Sequence, residues 1–208
     1  GYELFLRENS NGIWCLPDNF NQIPPEIMVV LLKDTVQQLK MQTLHVVSFN
    51  LDQPQFIDPI YPELLQRLQE QYPSCDIVVE LTEHPYCTVT DDELVAAAKN
   101  YHARGIAVCL DDVNFGSNQV DLADQLDPYL TEYKLPLQNY RDVVATTNTD
   151  TTITSAVDYW SKRAKCHQLS IAIEGIEEVS DLELAAHYHA DILQGYLLGK
   201  PQLIELAN

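Results

Sequence analysis

Short apolar runs rich in β-branched residues alternate with longer amphipathic stretches along this chain. Residues 44–50 (LHVVSFN), 76–83 (DIVVELTE), 105–112 (GIAVCLDD) and 169–175 (LSIAIEG) are apolar at consecutive positions. That pattern predicts parallel strands covered on both faces. YELFLRE near the start, residues 131–137 (TEYKLPL) and residues 190–196 (ADILQGY) predict three more strands. Between them lie helical patterns. Residues 24–40 open on two prolines, which suit a first helical turn. Residues 60–72 put Leu64, Leu65 and Leu68 on one face, and residues 91–105 carry acids in the first turn and a glycine after the end. Residues 151–165 and 179–189 complete the helical set. Repeated strand–helix units predict an α/β fold, with a barrel favoured over an open sheet. No linker or low-complexity stretch interrupts residues 1–208, so a single domain is expected.

Polar residues recur at the ends of these strands. Asn50, Glu80, Asp111, Lys134, Glu174 and Gln194 follow one another at intervals of 30, 31, 23, 40 and 20 residues. Several intervals approach the ~30 residues of one βαβ step. Glu83, Asp112 and Glu177 lie close by. In a barrel the C-terminal strand ends converge on one mouth, where active sites sit. Several carboxylates cannot share a mouth without counter-charge. Divalent cations would supply it, and all-oxygen ligation favours Mg²⁺ or Mn²⁺ over zinc. Two such ions form a clamp for displacement at a phosphodiester. Taken singly, an Asp-Asp after a strand is most often a turn or a helix cap, and Glu-x-x-Glu is usually solvated surface. The recurrence at matching phase is what points to a site.

Other motifs point to no chemistry. His187, Tyr188 and His189 tempt a metal reading, but helical positions two apart do not share a face. Trp14 and Trp160 are expected to be packing residues. Gly195 and Gly199 belong to no phosphate-binding loop pattern.

Composition narrows the partners. Twelve Lys plus Arg against 31 Asp plus Glu give a formal charge of −19. That argues against DNA or RNA duplexes, whose phosphates need a basic surface, and against anionic membranes. A small phosphate ligand held through cations remains compatible. No run approaches the ~20 apolar residues of a membrane span, and no signal-peptide pattern is visible. Cys15, Cys75, Cys87, Cys109 and Cys166 are odd in number and form no CxxC, which fits reduced thiols in a cytoplasmic protein.

The chain resembles the EAL-domain family of cyclic di-GMP phosphodiesterases. GYELFLR (residues 1–7) is similar to the family's GYEALLR, and SFNLDQPQF (48–56) to SVNLSxxQL. ELTE (80–83) is the family form unaltered. CLDD (109–112), EGIE (174–177) and QGYLLGKP (194–201) are similar to ALDD, EGVE and QGYLFSRP. The resemblance implies a modified TIM barrel with one strand antiparallel to the rest. The family's usual first strand precedes the Glu3 motif and has no counterpart here, so a barrel lacking that strand is within the expectation. The resemblance also implies hydrolysis of cyclic di-GMP to linear pGpG with two Mg²⁺ or Mn²⁺ ions. Glu3, Asn50, Glu80 and Asp111 would ligate the first ion, and Asp111, Asp112 and Glu174 the second. Lys134 would orient the attacking water or stabilise charge on the phosphate, and Asp112 would accept a proton. Arg7 would contact substrate, Glu83 would brace the loop after the Asp pair, and Glu177 and Gln194 would support the site, Gln194 on the substrate side. Relatives commonly form homodimers through the region after that pair.

The sequence departs from the family at Leu4 and Phe5, and at DDVNFGSNQ (111–119) where DDFGTGYSS is usual. Of the two loop glycines only Gly116 falls in place, and Pro136 and Thr131 replace two aspartates of the family pattern. These changes leave two alternatives to an active phosphodiesterase. One is a catalytically degenerate receptor or protein-interaction module, and the other is a barrel hydrolase for a different phosphoester.

Overall fold

The computed structural model describes all residues except 18–19, 40–43, 83–87, 116–118, 148–149 and 205–208. It divides into two compact units, Gly1–Val108 with Ile204–Asn208, and Cys109–Leu203.

In the first unit β1 (Tyr2–Leu4), β4 (Val46–Leu51) and β5 (Asp76–Leu81) lie side by side in that order, all parallel. A two-stranded antiparallel ribbon, β2 (Glu8–Ser10) and β3 (Ile13–Cys15), stands apart from them. The α-helices among its described residues are α1 (Pro25–Leu39), α2 (Gln53–Phe56), α3 (Ile60–Gln71) and α4 (Asp91–Ala103). Strand β4 alternates strictly. Val47, Phe49 and Leu51 are buried, while Ser48 and Asn50 face the other way and are half-buried. Strand β5 is buried on both faces from Ile77 to Leu81, as its continuous apolar run predicts. Asp52 caps α2 by accepting from the Gln55 N–H at 3.0 Å, which turns the chain sharply one residue after β4 ends.

In the second unit β6 (Ala107–Leu110), which straddles the division, is followed side by side by β7 (Glu132–Pro136), β8 (Ser170–Glu174) and β9 (Ile192–Leu193), again all parallel. The helices are α5 (Val120–Leu126), α6 (Leu137–Thr147), α7 (Asp150–His167) and α8 (Val179–His187). Trp160 of α7 is buried edge-on against Tyr133 of β7, at 5.0 Å between ring centroids. Trp14, also expected to pack, is instead 49 % exposed on β3, because its ribbon carries no core of its own.

Parallel strands alternating with helices are the α/β pattern the sequence predicts. Antiparallel pairing among the described residues is confined to the β2–β3 ribbon. Strand ends are shorter than predicted. Strand β6 stops at Leu110, so Asp111 and Asp112 lie just beyond it, and β9 keeps two residues. None of the described helices is long and apolar enough to cross a membrane.

Candidate metal centre

In the first unit the register of three parallel strands sets the polar residues. Glu3 pairs with Ser48, and Asn50 pairs with Glu80. Asn50 lies two residues beyond Ser48, so Glu3, Asn50 and Glu80 fall on the same sheet face. The Asn50 amide Nδ2 donates to Glu3 Oε1 at 2.8 Å. Its Oδ1 is buried and has no hydrogen-bond partner. A buried acceptor without a donor is costly unless a cation meets it. Glu80 is 2 % exposed. Carboxylate and amide oxygens of this kind are the donors that hard divalent cations prefer. Arg7 is exposed, donating to the Leu6 carbonyl at 2.8 Å with its guanidinium 5.7 Å from the Phe5 ring. Together with Asn50 and Thr35 it lines a mostly apolar cavity of about 150 Å³ walled by Phe20, Met28 and Phe49.

The second unit gathers the Asp pair, Glu174 and Lys134. Oxygens of Asp111, Asp112 and Glu174 lie within 4.8 Å of one another. Among the described residues this is the one such acidic or metal-capable group of three, and neither His187 nor His189 joins one. Lys134 sits mid-strand on β7, 2 % exposed, with Nζ 3.4 Å from Glu174 Oε2 and 3.8 Å from Asp111 Oδ1. Register explains the meeting: Lys134 pairs with Ala172, and Pro136 with Glu174, so Lys134 and Glu174 share a face. A buried ammonium needs such carboxylates, and it offers one positive charge against three negative ones. The donor set is all oxygen and acidic, which fits Mg²⁺ or Mn²⁺.

Backbone ties hold these carboxylates. Asp112 adopts φ +46°, in the left-handed region. Its N–H donates to Asp111 Oδ1 at 2.9 Å, and the next N–H, of Val113, donates to the Lys134 carbonyl at 3.1 Å. Asn139 Nδ2 donates to Asp112 Oδ1 at 3.1 Å. On either side of Glu174 the chain is clasped by Gln194, whose N–H donates to Ile173 O and whose carbonyl accepts from Ile176 N, both at 3.0 Å. Gly195 runs so close to this segment that a Cβ there would lie 2.2 Å from Ile176 O. Glu177 is exposed and lies 3.8 Å from the Arg141 guanidinium, outside the acidic cluster. Arg141 also donates to Gly175 O at 2.9 Å and pairs with Asp181. Burial raises the Asp181 carboxyl, but the Arg141 guanidinium and the N–H groups of Glu177 and Glu178 outweigh it and hold the group below its ordinary value. Glu83 and Gly116 lie outside the described residues.

Asn139, Arg141 and Asp181 are the contributors that sequence patterns did not indicate. Asn139 and Arg141 act on residues 27 and 34 positions away. A polar pair in the first turns of a helix that directly follows a Lys-bearing strand is the signal that could have found them.

Comparison with known proteins bears on this arrangement. The family described as EAL domain matches residues 18–201. No curated protein matches the chain. Among solved structures, the Bacillus subtilis YkuI protein, with an EAL domain, in complex with substrate c-di-GMP and calcium, is similar at TM-score 0.72 and 19 % identity. That match covers 99 % of this chain and 53 % of the other. An EAL domain protein from Listeria monocytogenes EGD-e matches at TM-score 0.74 and 18 % identity, covering 97 % and 81 %. The Klebsiella pneumoniae BlrP1 manganese/cy-diGMP complex matches at 0.69 and 14 %, covering 88 % and 45 %. The likeness is one of fold, the TIM-barrel-like α/β architecture. The chain spans about half the length of the YkuI structure.

Proposed function

The chain belongs to the EAL domain family, and on that premise we propose that it hydrolyses one phosphodiester bond of cyclic di-GMP to give linear pGpG with the help of two divalent cations. The observation that carries this reading is the convergence of Asp111, Asp112 and Glu174 around the buried Lys134. Two similar structures support it: one holds c-di-GMP as substrate with calcium, the other cy-diGMP with manganese. The family match runs through both units, which favours one functional domain over residues 1–208.

Glu3, Asn50 and Glu80 would hold one ion, the orphaned Asn50 Oδ1 included, and Asp111, Asp112 and Glu174 the other. Bound cations lower the pKa of water and neutralise charge on a phosphoryl group. The chain's own groups do the rest. Water attacks phosphorus, the P–O3′ bond breaks, Asp112 takes the water's proton, and the 3′ oxygen leaves as a hydroxyl by taking a proton from bulk water, to which Asp112 later returns its own. Lys134, with three N–H donors fixed between Asp111 and Glu174, orients the water and meets developing phosphate charge. Arg7 offers a planar donor fork to substrate, and Gln194 and Glu177 support the segment that carries Glu174.

The test is turnover of cyclic di-GMP by the purified chain in Mn²⁺ or Mg²⁺, with a chelator control and product chromatography. Metal-dependent pGpG is expected. Asp111→Asn should lower the rate by more than the 10–100-fold typical of losing an outer-shell partner, with an unchanged fold by circular dichroism. Binding of intact ligand without turnover would replace the enzyme by a receptor. Neither binding nor turnover would remove the reading.

A further inference from the structure

We propose that the first turns of α6 form a positioning template for both carboxylate-bearing segments of the second unit, with Asn139 setting Asp112 and Arg141 setting the segment after Glu174. The inference rests on the metal-binding reading above and assigns roles to two residues outside the carboxylate set.

Asp112 is the unusual member of that set. A non-glycine residue at φ +46° persists only where its surroundings hold it. Backbone bonds fix its peptide: Asp112 N–H to Asp111 Oδ1, Phe115 N–H to the Asp112 carbonyl at 3.0 Å, and Val113 N–H to Lys134 O. The Asn139 amide acts on the carboxylate itself and sets its rotation. An amide is suited to this. It donates without bringing charge, so Asp112 stays an anion with its full attraction for a cation. Asn139 is also the third residue of an 11-residue helix. The N-terminal end of the helix dipole favours a carboxylate at that place.

Two residues further along the helix, Arg141 reaches the other segment. Its guanidinium spans Gly175 O at 2.9 Å, Glu177 Oε2 at 3.8 Å and Asp181. Asp181 Oδ2 in turn accepts the N–H groups of Glu177 and Glu178, each at 2.8 Å. Gly175 has φ +75°, and a Cβ there would stand 3.1 Å from the Gln138 backbone nitrogen. The start of α6 therefore presses directly on the residue after Glu174, and the Arg141–Asp181 pair holds Glu177 and Glu178. Residues 138–141 thus set the spacing between Asp112 and Glu174, which must stay within one ion's coordination sphere.

The test compares Asn139→Leu, Arg141→Lys and, as a control on the same helix, the exposed Asp142→Ala. Mn²⁺ binding is measured by calorimetry without substrate, alongside thermal unfolding in chelator. The expected result is a roughly 10–100-fold loss of Mn²⁺ affinity for Asn139→Leu and for Arg141→Lys, the range for a lost outer-shell partner. Asp142→Ala should bind as the parent does. In turnover, kcat should fall more than KM rises. Affinity within twofold of the parent, with only a lower melting temperature, would overturn the proposal and leave a structural role. A parent chain that binds no Mn²⁺ would remove the metal reading separately. A crystal structure of Asn139→Leu in chelator then decides: Asp112 swung away from Glu174 supports the template, and Asp112 unmoved refutes it.

Discussion

Asp181 gives the fold a pH response that can be traced to one side chain among several shifted carboxyls. Its carboxyl is held below the ordinary 3.8 by Arg141 and two backbone N–H groups, against the opposing effect of burial. A depressed folded-state value means stability that is fully present above 3.8 and lost as pH falls through the lower, folded value. Asp181→Asn keeps the shape and removes the charge. The variant should melt below the parent at neutral pH, and the gap should close as pH drops below about 4. Melting curves between pH 3 and 7 check this, and a gap constant across the range would count against it. The contrast with Asp111 and Glu174 shows what a sequence exposes at this scale. Those two end strands at matching phase, so their convergence follows from the repeat. The Asp181 partners come from a different helix and from backbone groups, which no spacing rule encodes.

At the scale of elements, local chemistry is sufficient for some segments and silent for others. Helix α4 announces itself. Thr90 accepts from the Glu93 N–H at 3.3 Å, and the Glu93 carboxylate accepts from the Thr90 N–H at 2.9 Å, a reciprocal capping box. Thr90→Ala should cost about 1 kcal/mol, or roughly 2–4 °C in melting temperature for a chain of this size. Differential scanning calorimetry measures it, and an unchanged transition would mean that the helix start is held by packing alone. Helices α1, α3, α7 and α8 were legible for similar reasons, through prolines at the start or an apolar stripe. Helix α6 was not, because it begins at Leu137 directly after the last residue of β7. With no turn residue between them, the periodicity changes without punctuation. The β2–β3 ribbon escaped too. Its Asn11-Gly12 turn is a hairpin signal, but Glu8–Ser10 is polar throughout and lacks the alternation that marks a half-buried strand.

Charge acts on the molecule as a whole. At −19 the folded chain repels itself, and compaction works against that repulsion. Monovalent salt should therefore raise the melting temperature progressively, by screening across a Debye length of about 10 Å at 0.1 M. Divalent cations should do this and something more. At matched ionic strength, Mg²⁺ or Mn²⁺ bound by the acidic clusters stabilises the folded state by mass action, by about 2.7 kcal/mol at a hundredfold excess over the dissociation constant. Screening is nonspecific and survives mutation of any one residue. Site binding at the cluster beside Lys134 does not, because it needs Asp111 beside Asp112 and Glu174. The measurement is thus a pair of melting series, NaCl against MnCl₂ at equal ionic strength, for the parent and Asp111→Asn. The NaCl series should rise in both. The extra rise in MnCl₂ should be largest in the parent and shrink in the variant by the share that the Asp111, Asp112 and Glu174 cluster holds. Equal extra rises in both would mean that the divalent effect arises outside the cluster beside Lys134, and that this cluster is an ion-pair network rather than a metal centre.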